Sequence, residues 1–482
     1  MPDLVIGSRR YTPQRALRAV VMLVGLVVTA FVVAYFIYRR SVAYDIPDGQ
    51  PSRSPVVLHQ PTPGAAPMLR WDDATLAMLG DLAVLRASGE PFTIGAAHGR
   101  LLASWLPAVG RSLAPTIDGI AGSGGTFGRW TRGMRKDWRL RFVDNGFTGA
   151  AKKALAGLLR GARASGVDLD YADLLRQEAA LDLGVPAPWS AEADHRGLTR
   201  ALTIVAPQTG GTASRLWVGH ELALPGTGDG GDAMRPVVSL IRPAGKLAWA
   251  GVGWPGMLGV VTGINAEGVV VIVHPVRTRD VRPTRTARPI AVLARDVLEQ
   301  AHDLDEAVKL IEATATLGAA AYVIVDGQKG TWAVVERGPS RVAVRRQPAA
   351  AAVGDLLEAE GWKDDPENDR TQRISASPER VARALQLLQK PPADAAAVAA
   401  ILRDRRGLDG EGLPVGHRGA IDDAAAVQVV LFDPGSLAMW VGDGPGAGAR
   451  LRAFDLRHEL RGEGDRPVPP ADIPADPDAD PQ

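Results

Sequence analysis

Cysteine is absent from this chain of 482 residues. Its absence excludes disulfides, thiolate metal sites, iron–sulfur clusters and a cysteine nucleophile, whatever the fold. It says nothing about compartment, because an exported protein can do without disulfides. A charge imbalance is missing as well. The formal net charge is +1, so composition gives no reason to expect a nucleic-acid partner. The eight histidines show no HExxH or other metal-ligand spacing, and neither a metal nor a cofactor is expected. No internal repeat is visible. What is present is a globular balance, with 46% hydrophobic and 23% charged residues.

Long apolar runs are rare, with one exception. Ala19 to Tyr38 (AVVMLVGLVVTAFVVAYFIY) is uncharged throughout, long enough to cross a hydrocarbon layer of roughly 30 Å as a helix. Arg9, Arg10, Arg15 and Arg18 precede it, and Arg39, Arg40, Asp45 and Asp48 follow. The larger basic cluster favours a cytoplasmic N-terminus, with the bulk of the chain outside the cytoplasmic membrane. Tyr35 and Tyr38 suit the far interface. A signal peptide has a shorter apolar region ending in small residues, whereas this one ends in FIYRR. An uncleaved anchor is the expectation.

The expected organisation is a cytoplasmic N-terminus (1–18), a transmembrane anchor (19–38), a disordered tether (39–68), a mainly helical part (69–197), an αββα core (198–460) and a disordered Pro/Asp-rich tail (461–482). Three- and four-residue apolar spacing marks helices in HGRLLASWLPAVGRSL, FTGAAKKALAGLLRGARA and DYADLLRQEAALDL. From Leu198 onward short β-type runs dominate, among them TRALTIVA, SRLWVGHELAL, PVVSLIR and GVVVIVHPV. Two helices, three strands, a further helical stretch and two final strands follow. That order predicts two antiparallel sheets packed together with helices outside.

Several stretches in order resemble the isopenicillin N acyltransferase (acyl-coenzyme A:6-aminopenicillanic acid acyltransferase) family of N-terminal-nucleophile hydrolases. LAVLRASGEPFTIGAAHGRLLASWL resembles its strand, Gly turn and "G-x-x-H-G-x-L" helix. GVDLDYADLLRQEAALDLG resembles the stretch before its nucleophile, and PGMLGVVTGINAEGVVVIVHP its "P-G-x-x-G-x-x-T-G-M-N-x-x-G-L" hairpin. ARDVLEQAHDLDEAVKLIEA and YVIVDGQKGTWAVVERGPSRVAVR resemble the helices and strands that follow. The resemblance implies an α+β, four-layer αββα fold. It also implies a precursor that cuts itself before a cysteine, which then attacks amide or thioester carbonyls with its own amine as base.

Residue by residue, the implied site is depleted. The family's Gly-Cys-Thr context is Gly197-Leu198-Thr199 here, so Leu198 stands at the nucleophile position. Its "G-R-N-x-D" strand is Gly219-His220-Glu221-Leu222-Ala223, with His220 for Arg and Ala223 for Asp, and Gly354 stands where the resemblance implies an Asn. Two positions match. Asn265 either donates to an oxyanion or is a turn residue, and Arg380 is either a retained site residue or a solvated helix residue. Thr199 is the candidate replacement nucleophile, although strand alternation would aim it away from Leu198's pocket. Ser190 lies too far upstream to share that pocket. His98 is expected to be packed or capping. Trp217, Trp249 and Trp254 either line an apolar cavity or fill the core.

The expectation is therefore a membrane-anchored acyltransferase-like or amidohydrolase-like protein without catalysis, acting as a binding or scaffolding module. Its partners would be the membrane and a small acyl- or amide-bearing ligand. The alternative is an active amidohydrolase or acyltransferase with Thr199 as nucleophile. GVGWPG (251–256) matches a dinucleotide-loop pattern but leads into a strand-like run. GTGDGGD (226–232) and DDPEND (364–369) are read as connections.

Overall fold

The computed structural model describes residues 13–60, 67–119, 134, 137–138, 140–183, 199–208, 215–224, 234–280, 286–347, 350–423 and 425–477. Helix α1 (Pro13–Ser41) is followed by β1 (Val57–His59), β2 (Met68–Trp71), β3 (Ala74–Leu79) and β4 (Leu82–Gly89). A helical block comes next: α2 (Pro91–Leu101), α3 (Leu106–Gly119), α4 (Gly149–Ala164), α5 (Tyr171–Glu178) and α6 (Ala180–Leu183). Strands β5 (Arg200–Pro207), β6 (Leu216–Ala223), β7 (Val237–Pro243), β8 (Trp249–Gly253), β9 (Thr262–Asn265) and β10 (Val269–Val276) lead to α7 (Ile290–Gln300) and α8 (Leu304–Ala313). Then come β11 (Ala319–Asp326), β12 (Thr331–Arg337), β13 (Val342–Gln347) and β14 (Ala351–Val353). Helices α9 (Pro366–Ser375), α10 (Ser377–Leu388) and α11 (Ala395–Leu402) precede β15 (Ala426–Asp433), β16 (Ala438–Gly442) and β17 (Leu451–Asp455).

Side-chain caps set several helix starts. Thr148 accepts from the Ala151 N–H at α4, Asp170 from Ala172 at α5, Asp303 from Glu306 at α8 and Asp394 from Ala397 at α11. Asp365, in the acidic run 364–369, caps α9 by accepting from Glu367 and Asn368. That run is a helix start.

The strands form two sheets. One has eleven strands in the order β1-β2-β3-β4-β7-β8-β9-β10-β11-β12-β13, the other six in the order β14-β5-β6-β15-β16-β17. Alternation splits each strand between two cores. Val270 and Ile272 of β10 meet Val205, Val218, Val430 and Phe432 of the smaller sheet, whereas Val271 and Val273 pack with Ile94, Leu293 and Val297 of the helices. The outer face of the smaller sheet, with Leu202, Ile204 and Leu431, packs on Ala384, Leu388, Val398 and Leu402 of α10 and α11. The order of layers is helix, sheet, sheet, helix.

Four details differ from the sequence-based expectations. The large sheet is not wholly antiparallel: β4 and β7 pair in parallel, Ala83 to Val237 through Gly89 to Pro243. A parallel pair needs a long crossover, and the helical block with β5 and β6 supplies it. The αββα core begins before residue 198, since β1 to β4 belong to the large sheet. Tight turns between β2, β3 and β4, with Asp72 at φ 49° and Gly80 at φ 64°, keep those strands in register.

The stretch 39–68 is not a loose tether over its described part. Arg100 Nη2 donates to the Ser52 carbonyl at 3.1 Å, Ser52 Oγ to Asp72 Oδ1 at 3.2 Å, and β1 pairs with β2. The tail is docked as well. Leu451 and Ile473 exchange backbone hydrogen bonds of 2.9 and 3.0 Å, and Trp440 Nε1 donates to the Ala471 carbonyl at 3.0 Å. The tail thereby covers the β17 edge, which would otherwise expose unpaired backbone groups. Periodicity missed both segments because they bind mainly through backbone groups.

Helices α2 and α4 touch backbone to backbone. A Cβ on Gly95 or Gly99 would overlap the Ala154 or Leu158 carbonyl, and one on Gly157 or Gly161 would overlap that of Phe92 or Ala96. Each helix presents two glycines four residues apart to its neighbour, and no larger side chain fits. Gly157→Ala is expected to destabilise the fold by about 2 kcal/mol or more through overpacking. Gly149→Ala, at an α4 position with nothing near its Cβ, should leave stability nearly unchanged. Thermal unfolding of both variants beside the parent checks this.

Candidate functional site

Strands β5 and β6 carry polar residues among apolar ones and send them to different faces. Thr203 and His220 lie on the inter-sheet face with Val205 and Val218, whereas Arg200 and Glu221 lie on the α10–α11 face with Leu202 and Trp217. Thr203 and His220 are opposite each other in register, as are Arg200 and Ala223.

Between the sheets, His274 Nδ1 lies 2.9 Å from the Gly354 carbonyl, and its Nε2 lies 2.7 Å from Thr203 Oγ1. A carbonyl can only accept, so Nδ1 bears the proton and Nε2 accepts from the Thr203 hydroxyl. That hydroxyl oxygen then accepts from His220 Nδ1 at 2.9 Å. The directions are fixed along the whole chain, and His220 Nε2 is left as a buried acceptor without a hydrogen-bond partner among the described residues. Thr203, His220 and His274 are each 0% exposed. Burial pushes His274 down to about 4, helped by the Arg380 charge, and holds His220 well below the ordinary histidine range. Both rings are neutral. A hydroxyl donating to an imidazole that a carbonyl orients has the form of a nucleophile–base pair. Here it is sealed from solvent.

On the other face, Arg200 is paired with Asp423, and the Asp423 N–H donates to Glu221 Oε1 at 2.7 Å. Burial, with the nearby Asp423 and Asp422 charges, raises Glu221 well above the ordinary carboxylate value. Arg380 Nη2 donates to Asp355 Oδ1 at 3.2 Å, each side chain 2% exposed. Ser377 Oγ accepts from the Asp355 N–H and occupies the space a Cβ on Gly354 would need. Consecutive residues thus join the two networks: Gly354 ends the histidine chain, and Asp355 holds the ion pair.

The structure therefore brings His220, Gly354 and Arg380 together. Ala223 lies buried beside them on β6, and Thr199 is half-buried immediately before β5. Leu198 and Ser190, like the run 226–232, lie outside the described residues. Arg380 is not a solvated helix residue, since Asp355 pairs with it inside the protein. Asn265 lies elsewhere and is a turn residue. Its Oδ1 accepts from the Glu267 and Val269 N–H groups, and its Nδ2 donates to the Leu298 and Ala301 carbonyls. Both amide hydrogens are spent at the end of α7, which leaves Asn265 none for an oxyanion in this arrangement.

His98 is a packed residue whose Nε2 accepts from the Gly256 N–H at 2.8 Å, and burial lowers it to about 3. The three tryptophans line no common cavity. Trp217 sits with Trp440 outside the smaller sheet, whereas Trp249 and Trp254 fill the core beneath the α2–α7 layer. Thr203, His274, Arg200 and Asp423 are not marked by the resemblance. The available signal was a single polar residue within a β-type run, as in RALTIVA and VVIVHPV.

Thr203→Val keeps the side-chain shape but leaves His274 Nε2 and His220 Nδ1 without their partner, at an expected cost of about 2 kcal/mol or more. The pH dependence has a definite sign. A histidine depressed on folding contributes stability that is complete above its unfolded pKa of about 6.5 and is lost as pH falls toward about 4. His274→Gln removes that titration. Denaturant melts from pH 7 to 4 should show the parent losing about 3 kcal/mol relative to this variant.

Comparison with known proteins identifies part of the chain. Residues 238–411 match the family model Acyl-coenzyme A:6-aminopenicillanic acid acyl-transferase. An uncharacterized protein of Archaeoglobus fulgidus is 25% identical over 229 residues, which span 44% of this chain and 37% of that protein. Among solved structures, a Caenorhabditis elegans N-acylethanolamine-hydrolyzing acid amidase ortholog is 17% identical, with TM-score 0.36, covering 48% of this chain and 93% of that one. A mutant of conjugated bile acid hydrolase from Clostridium perfringens is 10% identical, with TM-score 0.37, covering 56% and 96%. Through residues 238–411 the chain is similar to the acyl-coenzyme A:6-aminopenicillanic acid acyltransferase family.

Proposed function

We propose that this is a non-catalytic relative of the acyltransferase family, anchored to the cytoplasmic membrane by α1. Its N-terminus would lie in the cytoplasm and its domain outside, where it serves as a binding or scaffolding module. One observation carries the reading: most polar groups at the resembling positions bond within the protein, with Arg380 Nε and His220 Nε2 finding no partner among the described residues. Arg380 is held by Asp355, the His220 Nδ1 proton by Thr203, and both Asn265 donors by backbone carbonyls. A reaction centre needs groups aimed at a substrate, and these are aimed at one another. Leu198 at the nucleophile position, in a chain without cysteine, supports the same reading.

A ligand site is available beside that network. A cavity of about 400 Å³ between the 356–363 segment and helices α9 and α10 is lined by Leu356, Leu357, Val381 and Leu385, with Lys363 and Gln372 at its polar side. Apolar side chains and Glu358, Lys363, Asn368, Asp369 and Gln372 share that lining almost equally, a mixture matched by a small amide-bearing molecule with an apolar part. The second reading, an active enzyme with Thr199 as nucleophile, draws on the Arg200–Asp423 ion pair next to that threonine.

Intact-mass analysis of the full chain, purified in detergent and stored at neutral pH, separates the two. One uncut chain is expected, identical in behaviour to Thr199→Ala. Two fragments meeting between Leu198 and Thr199, abolished by Thr199→Ala, would overturn the non-catalytic reading.

A further inference from the structure

The anchor helix is bonded to the domain at its exit end. Residues 17–41 are long and apolar enough to cross a membrane. Tyr38, near the end of that span, donates its hydroxyl to Asp137 Oδ2 at 2.8 Å. The other oxygen of Asp137 is paired with Arg176, whose Nη1 also donates to Asp173 at 2.8 Å. Six residues past Tyr38, Tyr44 donates to the Leu140 carbonyl at 3.3 Å and sets its ring edge-on to Tyr171 at 6.1 Å. Bonds to the carbonyls of Gly49 and Ser52 continue the attachment along α2 and α4.

This attachment fixes what lies at the membrane surface. In a spanning helix Tyr38 sits at the water interface, so Asp137 is at the same level, and Trp138 follows directly. Trp138 is 46% exposed. The Arg141 guanidinium stacks 3.9 Å from its ring and 4.3 Å from that of Phe142. Arg39 and Arg40 are exposed beside them at the helix end. The surrounding stretch, RWTRGMRKDWRLRF (129–142), carries six Arg or Lys residues against one Asp. Tryptophan with arginine is the composition of a membrane interface, where the ring suits the headgroup region and the cations attract anionic lipid.

We propose that this face of the domain rests on the membrane beside the anchor. Trp138 enters the headgroup–acyl boundary, and Arg39, Arg40 and Arg141 pair with the phosphates of anionic lipid headgroups. The inference rests on reading α1 as a membrane span. Its content is that the domain is held flat against the bilayer instead of swinging on a tether.

The cysteine-free chain makes the test direct, because an introduced cysteine is the sole labelling site. The full chain is reconstituted into phosphatidylcholine vesicles with and without phosphatidylglycerol. A bimane is attached at Trp138→Cys, at Val28→Cys in the middle of the span, or at Val415→Cys on an exposed loop beyond α11. Nitroxide lipids labelled at the headgroup or deep in the acyl chain serve as quenchers. Headgroup nitroxide is expected to quench the residue-138 label roughly twofold or more beyond the residue-415 label, more strongly with phosphatidylglycerol. Arg39→Glu with Arg40→Glu and Arg141→Glu should remove that lipid dependence. Equal quenching at 138 and 415, with the residue-28 label quenched from the acyl region, would overturn the inference and leave the anchor intact. No quenching at residue 28 by either lipid would overturn the anchor reading, and this inference with it.

Discussion

The side chains between the two sheets are shut off from bulk solvent, so a polar group set among them is costly unless it finds a partner within the protein. Valines, leucines, isoleucines and phenylalanines fill much of that interface. Thr262 and Gln428 are one polar group placed among them, and Thr203, His220 and His274 are another. Their hydrogen bonds run one way only, from His220 through Thr203 to His274 and on to the Gly354 carbonyl. The chain links β5 and β6 of the smaller sheet to β10 of the larger one. It also draws the segment after β14 close enough that residue 354 must be glycine. Specific registry of the layers follows from this constraint, because a slip of one residue would leave two imidazoles unpaired.

The same segment carries the arrangement across to the outer helices. Asp355, next to Gly354, pairs with Arg380 of α10, and beneath that helix Arg200, Asp423 and Glu221 complete a buried polar layer. An αββα arrangement of layers does not by itself supply a chemistry. In this chain His220, Gly354 and Arg380 contribute to cohesion between the layers.

At the other end of the molecule, close backbone contact replaces side-chain packing. The glycines of α2 and α4 bring these helices together, and the strap 42–60 lies along them from the anchor to β1. Tyr38 and Tyr44 continue that attachment up to helix α1. Helix α1, strap and helical layer are thus joined by hydrogen bonds in series.

Local pattern was enough for the parts of this protein that depend on nearest neighbours. The uncharged run before Arg39, the strands after residue 199, the helices within FTGAAKKALAGLLRGARA and DYADLLRQEAALDL, and the αββα order were legible, because alternation and helical spacing are written in adjacent residues. The resemblance also named His220, Gly354 and Arg380 as positions to watch. It could not say that they join one buried network, nor that Asn265 turns away toward α7, since those outcomes depend on which strands become neighbours. Thr203 and His274 are 71 residues apart, and Tyr38 and Asp137 are 99. The strap and the tail were misjudged for a related reason. Their partners are backbone groups supplied by distant segments, and hydrophobic periodicity does not record them. The sequence by itself determined which segments become helices and strands, whereas only the tertiary structure decided where each isolated polar group would find its partner, because that partner is brought near by folding and not by the chain.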